Sequence, residues 1–343
     1  MKASLVIITY NSAEYIPRLF DSIRRQTIFD DLEVLVLDNL SSDNSAELCR
    51  QHSANWPRPA IVLPQGKNHG FAVATNFGVA HANGKYICSM NADTWMEPDC
   101  LEQLLNAIEI SGSVAGCTTQ ASLNSDEIVP SAPMGFDIFG RPTWSESDHI
   151  GECEKQGWHP FFMVAGAAFV VRRDVWDQIG GFDHEHFMYA EDDDISWKLW
   201  LAGYQSVYVH TAVVHHRSHR SWEIKEFTRY LVNRNSLLVV AKNAQHILLL
   251  CWWLQVLMLA AESVVMLGIS RNWKFVWNSY IKAVIDCVKM WRHIFKMRGL
   301  NRKIRKRSDW QMARMFLRLR VNRWDMVKAF FTGGPRPTVK PAK

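Results

Sequence analysis

Several features are scarce in this sequence, and each absence excludes a class. The 7 Cys residues include no CxxC pair and no metal-finger spacing, and their number is odd. Thiols in a reducing compartment are expected, rather than a disulfide scaffold or a structural zinc site. The first apolar run, Leu5 to Ile8, is too short for a signal-peptide core. No GxGxxG follows the first strand pattern, which argues against a dinucleotide cofactor. Acidic residues nearly vanish toward the C-terminus: from Arg271 onward there are 20 Lys/Arg against 3 Asp/Glu.

What is present starts from that imbalance. The totals of 39 Lys/Arg and 34 Asp/Glu give a net charge of +5. Removing the C-terminal residues leaves 19 against 31, or −12, for residues 1–270. An acidic part joined to a basic one suggests an anionic membrane or a nucleic acid as partner. Hydrophobic content of 48% and 15 Trp in 343 residues exclude a disordered chain, and the length suits one large or two ordinary domains.

Ser4 to Thr9 is a near-continuous β-branched run, as in a strand buried on both faces of a parallel sheet. Ser12, Glu14 and Pro17 then open a helix bearing Ile16, Leu19, Phe20 and Ile23. Glu33 to Asp38, Ala60 to Leu63 and Tyr86 to Cys88 read as further strands. Ser41, Ser42 and Asp43 offer N-caps for a helix through Cys49, and Pro98 to Ile110 reads as an amphipathic helix. This alternation predicts an α/β fold with a doubly wound, mostly parallel sheet flanked by helices. Right-handed crossovers would put the strands' carboxyl ends on one face. Ser111 to Pro160 reads as irregular chain, before an apolar run from Phe161 to Val171 around Gly166 and a strand from Tyr204 to Val209.

The shared face gathers Thr9, Tyr10, Asp38, the loop Gln65 to Gly70, and Asn91-Ala92-Asp93. Asp93 at a strand end, two residues after an amide, suits an oxygen-ligand cation, although an Asx turn uses the same residues. Asp38 stands where a ribose hydroxyl could be held, or where a helix is capped. Asn68-His69-Gly70-Phe71-Ala72 precedes a helical stretch with Asn76 and Gly78, fitting either a phosphate approach or a relieved turn. Glu191, Asp192, Asp193 and Asp194 are costly neighbours unless a helix N-terminus or a cation stabilises them. Such crowding also raises pKa values as a general base requires. His215, His216 and His219 supply candidate ligands, with a structural role as the plain alternative.

Together these motifs resemble the family 2 glycosyltransferases, inverting enzymes of the GT-A fold, over roughly residues 3–240. The likeness is nearest to the bacterial rhamnosyltransferase-like branch. VIITYN resembles the family's first strand, which implies that Thr9, Tyr10 and Asn11 frame the nucleotide base. LVLDNLSSD implies that Asp38 holds base or ribose, and NHGFAVATNFG implies that Asn68, Gly70, Phe71 and Asn76 line the diphosphate side. In GGFDHEHFMYAEDDDISWKLW the catalytic base maps to Asp192, with Glu191 beside it and Asp194 supporting the helix start. The metal motif maps to Asn91, Ala92 and Asp93, leaving Asp93 its only carboxylate. It implies Mg²⁺ or Mn²⁺ held with modest affinity. His215 is the better match for the family's metal or diphosphate histidine and His216 the fallback. Lys198 stands near where the family often has Arg. The branch implies dTDP-rhamnose as donor, with UDP- or GDP-sugars as alternatives, and a lipid-linked saccharide as acceptor.

Ile247 to Ile269 is apolar but for Gln255 and Glu262, long enough to cross a bilayer. Asn278 to Phe295 reads as helical, and Cys287 to Ser308 carries nine Lys/Arg and no acid. Trp310, Met315, Phe316, Leu319, Trp324 and Phe330 interleave with arginines beyond it. Basic helices with such residues suit an anionic membrane surface. The expected layout is a catalytic domain over 1–240, a helical, amphipathic membrane-associating region over 241–332 and a disordered tail over 333–343. The expected location is cytoplasmic, peripheral on the inner face of a bacterial plasma membrane, with homo-oligomerisation left open. Two rivals remain. A nucleotidyltransferase wants a Gly-rich basic loop where TYNSAEY stands. A nucleic-acid-binding module finds no motif here, so no nucleic-acid partner is expected.

Overall fold

The computed structural model describes residues 1–122, 133–144, 157–164, 167–217 and 226–318. The chain divides into two units, the first comprising Met1–Ala132, Ser147–Met188 and Tyr204–His219, the second Pro133–Glu146, Tyr189–Gly203 and Arg220–Lys343.

In the first unit the β-branched run forms β1 (Ala3–Thr9), flanked in parallel by β2 (Leu32–Asp38) and β4 (Tyr86–Asn91). Leu5 pairs with both Val34 and Cys88, so β1 is an interior strand, and Leu5, Val6 and Ile7 are buried on its two faces. Beyond β2 lies β3 (Ile61–Pro64), also parallel. On the other side come β10 (Ala168–Arg172), β6 (Ala115–Ser122), β11 (Ser206–His216) and β5 (Thr94–Met96), with β9 (Trp158–Phe161) paired to β11. β10 runs antiparallel to both β4 and β6, making the sheet mixed. Helices α1 (Ile16–Arg24), α2 (Ser45–Ser53) and α4 (Cys100–Ser111) bury Leu19, Phe20, Cys49, Leu104 and Ile108 against Leu5 and Ile7. Alternation along β1 turns Val6 to the other face, and α3 (Gly70–His81) also packs on β1. The α/β class with helices flanking the sheet is therefore the fold found.

Three local expectations need correction. Part of the supposedly irregular stretch is β6, in the middle of the sheet. Its sequence, AGCTTQAS, hides the strand because small residues are what α4 requires. A Cβ on Gly116 would come within 2.9 Å of Leu104 Cδ1. Ser12 does not cap α1, since its Oγ accepts from the Tyr10 N–H at 3.3 Å instead. At the start of α2 it is Asp43, not Ser41 or Ser42, that bonds the chain, accepting from the Ser45 N–H at 3.0 Å. Residues Gly166 and His219, and the chain from Leu319 with Trp324, Phe330 and the 333–343 tail, lie outside the described residues.

Helix α5 (Arg173–Ile179) completes the first unit. The second unit holds α6 (Glu191–Leu201), α7 (Glu226–Asn243), α8 (Leu249–Ser270) and α9 (Trp273–Val276). A π turn, Trp277–Ile281, leads into α10 (Lys282–Lys289), followed by α11 (Trp291–Ile304) and α12 (Asp309–Phe316). The stretch expected to be helical, Asn278 to Phe295, is helical on either side of a turn at Met290. A small sheet orders as β12 (Leu317–Arg318), β7 (Pro133–Asp137) and β8 (Pro142–Trp144). Its Phe136 packs on Trp197 with ring centroids 4.6 Å apart. Leu237, Leu238, Leu259, Tyr280 and Cys287 form a second core.

Three arginines of the basic stretch are structural caps. Arg298 donates to the Ala241 and Ala244 carbonyls at 2.7 and 2.6 Å, Arg305 to the Asn243 carbonyl, and Arg307 to the Trp200 carbonyl at 2.8 Å. Each meets the orphan carbonyls at the end of α6 or α7. Cys49, Cys88, Cys100, Cys117, Cys251 and Cys287 are buried thiols rather than disulfides. Burial pushes the Cys88 thiol up to about 12, so these are packing residues, not nucleophiles.

Candidate functional site

The first unit brings the expected donor-binding residues to the carboxyl ends of β1, β2 and β4. Thr9 is fully buried, and its Oγ1 donates to Asp38 Oδ1 at 3.1 Å. Asp38 Oδ2 accepts from the Ser41 N–H at 3.3 Å. Each carboxylate oxygen so engaged keeps acceptor capacity for a ligand hydroxyl. Tyr10 is exposed beside them. Asn11 adopts φ +50° and accepts from the Ser42 N–H at 2.8 Å, pinning the loop after β2.

Asn39, which sequence reasoning passed over, organises the next loop. Its Nδ2 donates to Asn68 Oδ1 at 3.0 Å, and its Oδ1 accepts from the His69 N–H at 2.9 Å. Asn68 Oδ1 in turn accepts from the Gly70 N–H at 2.9 Å. Gly70 has φ +78°, and a Cβ there would sit 2.3 Å from the Phe187 carbonyl oxygen, so only glycine fits. Phe71 leans on Phe182, ring centroids 6.0 Å apart. Asn76 is better read as structural than as a ligand-binding residue. Its amide donates to the Phe182 carbonyl at 2.8 Å and accepts from the Phe182 N–H at 3.0 Å, so both ends of the side chain are engaged.

Asn91, Ala92 and Asp93 form the turn from β4 into β5. The register of β5 on β11 puts Thr94 opposite His216 and Trp95 opposite His215. Successive side chains of a strand point to opposite faces, so the two histidines part company. His216 Nε2 lies 3.4 Å from Asp93 Oδ1. His215 instead meets Glu97 at 2.6 Å and stacks on Trp95, 5.3 Å between centroids. Of the two histidines, it is His216, the fallback, that lies beside Asp93, while His215, the expected match, faces Glu97. A carboxylate oxygen and an imidazole nitrogen 3.4 Å apart can be adjacent ligands of one divalent ion, so the residues fit such a group. Arg217, next in sequence, donates its N–H to the Asp93 carbonyl at 3.1 Å and pairs through its guanidinium with Glu14.

In the second unit all four acidic residues fall in the first turn of α6, where the helix dipole favours negative charge. Tyr189 and Ala190 precede them with φ +70° and +62°. Asn235 holds this entry by donating to the Tyr189 carbonyl at 2.8 Å. Burial holds the Glu191 carboxyl well above its ordinary value, with the Asp192 charge adding to the effect. Glu191 Oε2 is buried and unbonded among the described residues. Desolvation also raises Asp193 well above the usual range, reinforced by Asp192 and Asp194 and opposed by Arg141. Asp192 Oδ1 accepts from the Asp193 N–H at 2.9 Å.

Asp194 is fully buried and anchors the helix. Lys242 Nζ lies 3.1 Å and Lys198 Nζ 3.6 Å from its Oδ2, while Asn243 Nδ2 donates to Oδ1 at 2.7 Å. Asn301 then donates to Asn243 Oδ1 at 2.8 Å. Lys198, whose departure from the family pattern left its pairing open, is thus part of this buried network.

Residues 4–180 match the protein family described as glycosyl transferase family 2. The chain is 28% identical over 239 residues to an N-acetylglucosaminyl-diphospho-decaprenol L-rhamnosyltransferase of Mycobacterium tuberculosis, covering 63% of this chain and 76% of that protein. It is 28% identical over 232 residues to the O-antigen chain rhamnosyltransferase RfbN of Salmonella typhimurium, covering 67% and 70%. Among solved structures it resembles the mannosyltransferase PcManGT from Pyrobaculum calidifontis in complex with GDP-Man and Mn²⁺. That likeness has a TM-score of 0.54 at 17% identity, over 84% of this chain and 86% of that one. It speaks for the fold alone.

Proposed function

The chain belongs to glycosyltransferase family 2, and we propose that it transfers rhamnose from dTDP-rhamnose to a hydroxyl of a lipid-linked saccharide in cell-surface polysaccharide synthesis. The observation that carries this reading is the kinship to two rhamnosyltransferases, one named for a decaprenyl-diphosphate acceptor. UDP- and GDP-sugars are the alternative donors.

The residues divide the work. Tyr10 and Asp38 hold the base and ribose, with Asp38 accepting a ribose hydroxyl and Thr9 orienting the Asp38 carboxylate. Asn11 and Asn39 fix the loops around it, and the Asn68–Gly70 loop lines the diphosphate side. Asp93 and His216 would hold a divalent cation. When bound, that ion offers Lewis-acid stabilisation of the leaving diphosphate. An imidazole in the set favours Mn²⁺ over Mg²⁺, which prefers oxygen ligands. Asp192 takes the proton of the acceptor hydroxyl as that oxygen attacks the anomeric carbon. The bond from that carbon to the diphosphate oxygen breaks, its electron pair leaves with the nucleoside diphosphate, and the configuration inverts. Burial and the neighbouring Asp192 charge raise the pKa of the Glu191 carboxyl beside the base, which disfavours a second negative charge there.

The test is turnover of a panel of nucleotide sugars, with Mn²⁺, Mg²⁺ or chelator, on a polyprenyl-diphosphate saccharide. Release of dTDP from dTDP-rhamnose alone, coupled to extension of the lipid-linked product, is the expected result. Exclusive use of a UDP- or GDP-sugar would replace the donor, and a lack of binding to every nucleotide sugar would overturn the reading.

A further inference from the structure

Helix α8 is built inside out for a helix at a protein surface. Such helices turn an apolar stripe inward and a polar face to water. In α8 the inward positions are Cys251, Gln255 and Leu259, all buried, while Leu250, Trp253, Leu257, Val264, Val265 and Ile269 are exposed. Those six recur at helical spacing along nearly its whole length, on a helix of 22 residues with mean hydropathy 1.8. No charged residue falls among them. The polar side chains of the helix lie off the stripe: Glu262 is half-buried and Gln255 is fully buried. With its amide oriented to satisfy both ends, Gln255 accepts from Arg141 Nε at 3.1 Å and donates to the Phe139 carbonyl at 3.2 Å. An exposed apolar patch of this extent marks an interaction surface.

We propose that the second unit docks on an anionic bilayer through the exposed stripe of α8, which lies in the membrane plane and does not cross it. Charge identifies the partner. Helix α11 packs on the same core as α8, through Ile294, and exposes Trp291 and Phe295 together with Arg292, Lys296, Arg302 and Lys303. Aromatic and basic side chains on one helix suit the boundary between anionic headgroups and acyl chains. The inner face of α8 favours the in-plane orientation. Gln255 is committed to Arg141 and Phe139 within the core of the second unit, so this face of the helix stays with the protein while the opposite stripe is left for the bilayer. The docked chain would stand on the cytoplasmic face of the plasma membrane, where a lipid-linked acceptor is presented. The docking does not depend on which sugar is transferred.

The experiment uses the full chain with vesicles of phosphatidylcholine alone or with 30% phosphatidylglycerol, some carrying brominated acyl chains. The expected result is salt-sensitive co-sedimentation with the anionic vesicles and quenching of tryptophan fluorescence by the brominated lipid. L257Q/V264Q is expected to lower partitioning at least tenfold, and K296E/R302E to remove the preference for anionic lipid. Both variants keep donor turnover on a water-soluble acceptor, so loss of docking is read separately from loss of transferase activity. Should the wild type stay in the supernatant with both vesicle types, the proposal fails. It also fails if the wild type is a dimer that L257Q/V264Q dissociates, because the stripe would then be covered by a second copy of the chain.

Discussion

His216 Nε2 stands 3.4 Å from Asp93 Oδ1, while His215, one residue earlier, faces Glu97 on the opposite side of the strand. The two neighbouring histidines therefore predict opposite outcomes. His216→Ala should raise the Mn²⁺ concentration needed for half-maximal turnover by roughly tenfold or more. His215→Ala should change it by less than about threefold, since its contacts are Glu97 and Trp95. Metal titration of both variants decides the matter, and equal effects would remove His216 from the site.

Glu191 gives a pH prediction. Its folded carboxyl is held well above the ordinary value by burial, whereas in the unfolded chain it titrates near 4.3. Between those values the native state binds the extra proton, so stability falls as pH rises through that window. The loss is about 1.4 kcal/mol for each unit of the shift. Glu191→Gln should therefore match the wild type near pH 4 and be the more stable protein at pH 8. Thermal unfolding across this range checks it, and a constant difference between the two would contradict the assignment.

Lys242 is fully buried on Asp194. Lys242→Met leaves that carboxylate with Lys198 at 3.6 Å and Asn243 as its remaining partners. The expected cost is ~3 kcal/mol, at the lower end for a broken buried pair because Lys198 remains. Denaturant unfolding of Lys242→Met, Asp194→Asn and the double variant would give coupling of more than about 1 kcal/mol. Simple additivity would mean that the pair does not act as a unit.

Gly70→Ala places a Cβ 2.3 Å from the Phe187 carbonyl oxygen at φ +78°. A loss of ~2 kcal/mol of stability and weaker nucleotide binding are expected. Calorimetry on the variant measures both.

These relationships differ in how far the sequence announces them. β1, β2 and β4 were legible because strands buried on both faces read as β-branched or apolar runs, and the acidic turn of α6 was legible because four carboxylates in succession need an explanation. β6 was not, since a strand made small for α4 carries no alternation. The choice between His215 and His216 depends on β11 continuing to His216 and on its register with β5. Neither is written in VVHHRSHRS. Asn76 reads as a ligand residue in its motif, yet its partner, Phe182, lies 106 positions away. Lys198 is intelligible only once Lys242 and Asn243 are known to meet the same carboxylate.

The most direct test of the account is Asp192→Asn beside the wild type, with donor affinity and turnover measured on the same samples. Loss of the base should leave the Kd for the nucleotide sugar within about threefold and lower kcat by roughly 10²–10⁴-fold. Near-normal turnover with unchanged binding would contradict the assignment of Asp192 as the base that drives sugar transfer.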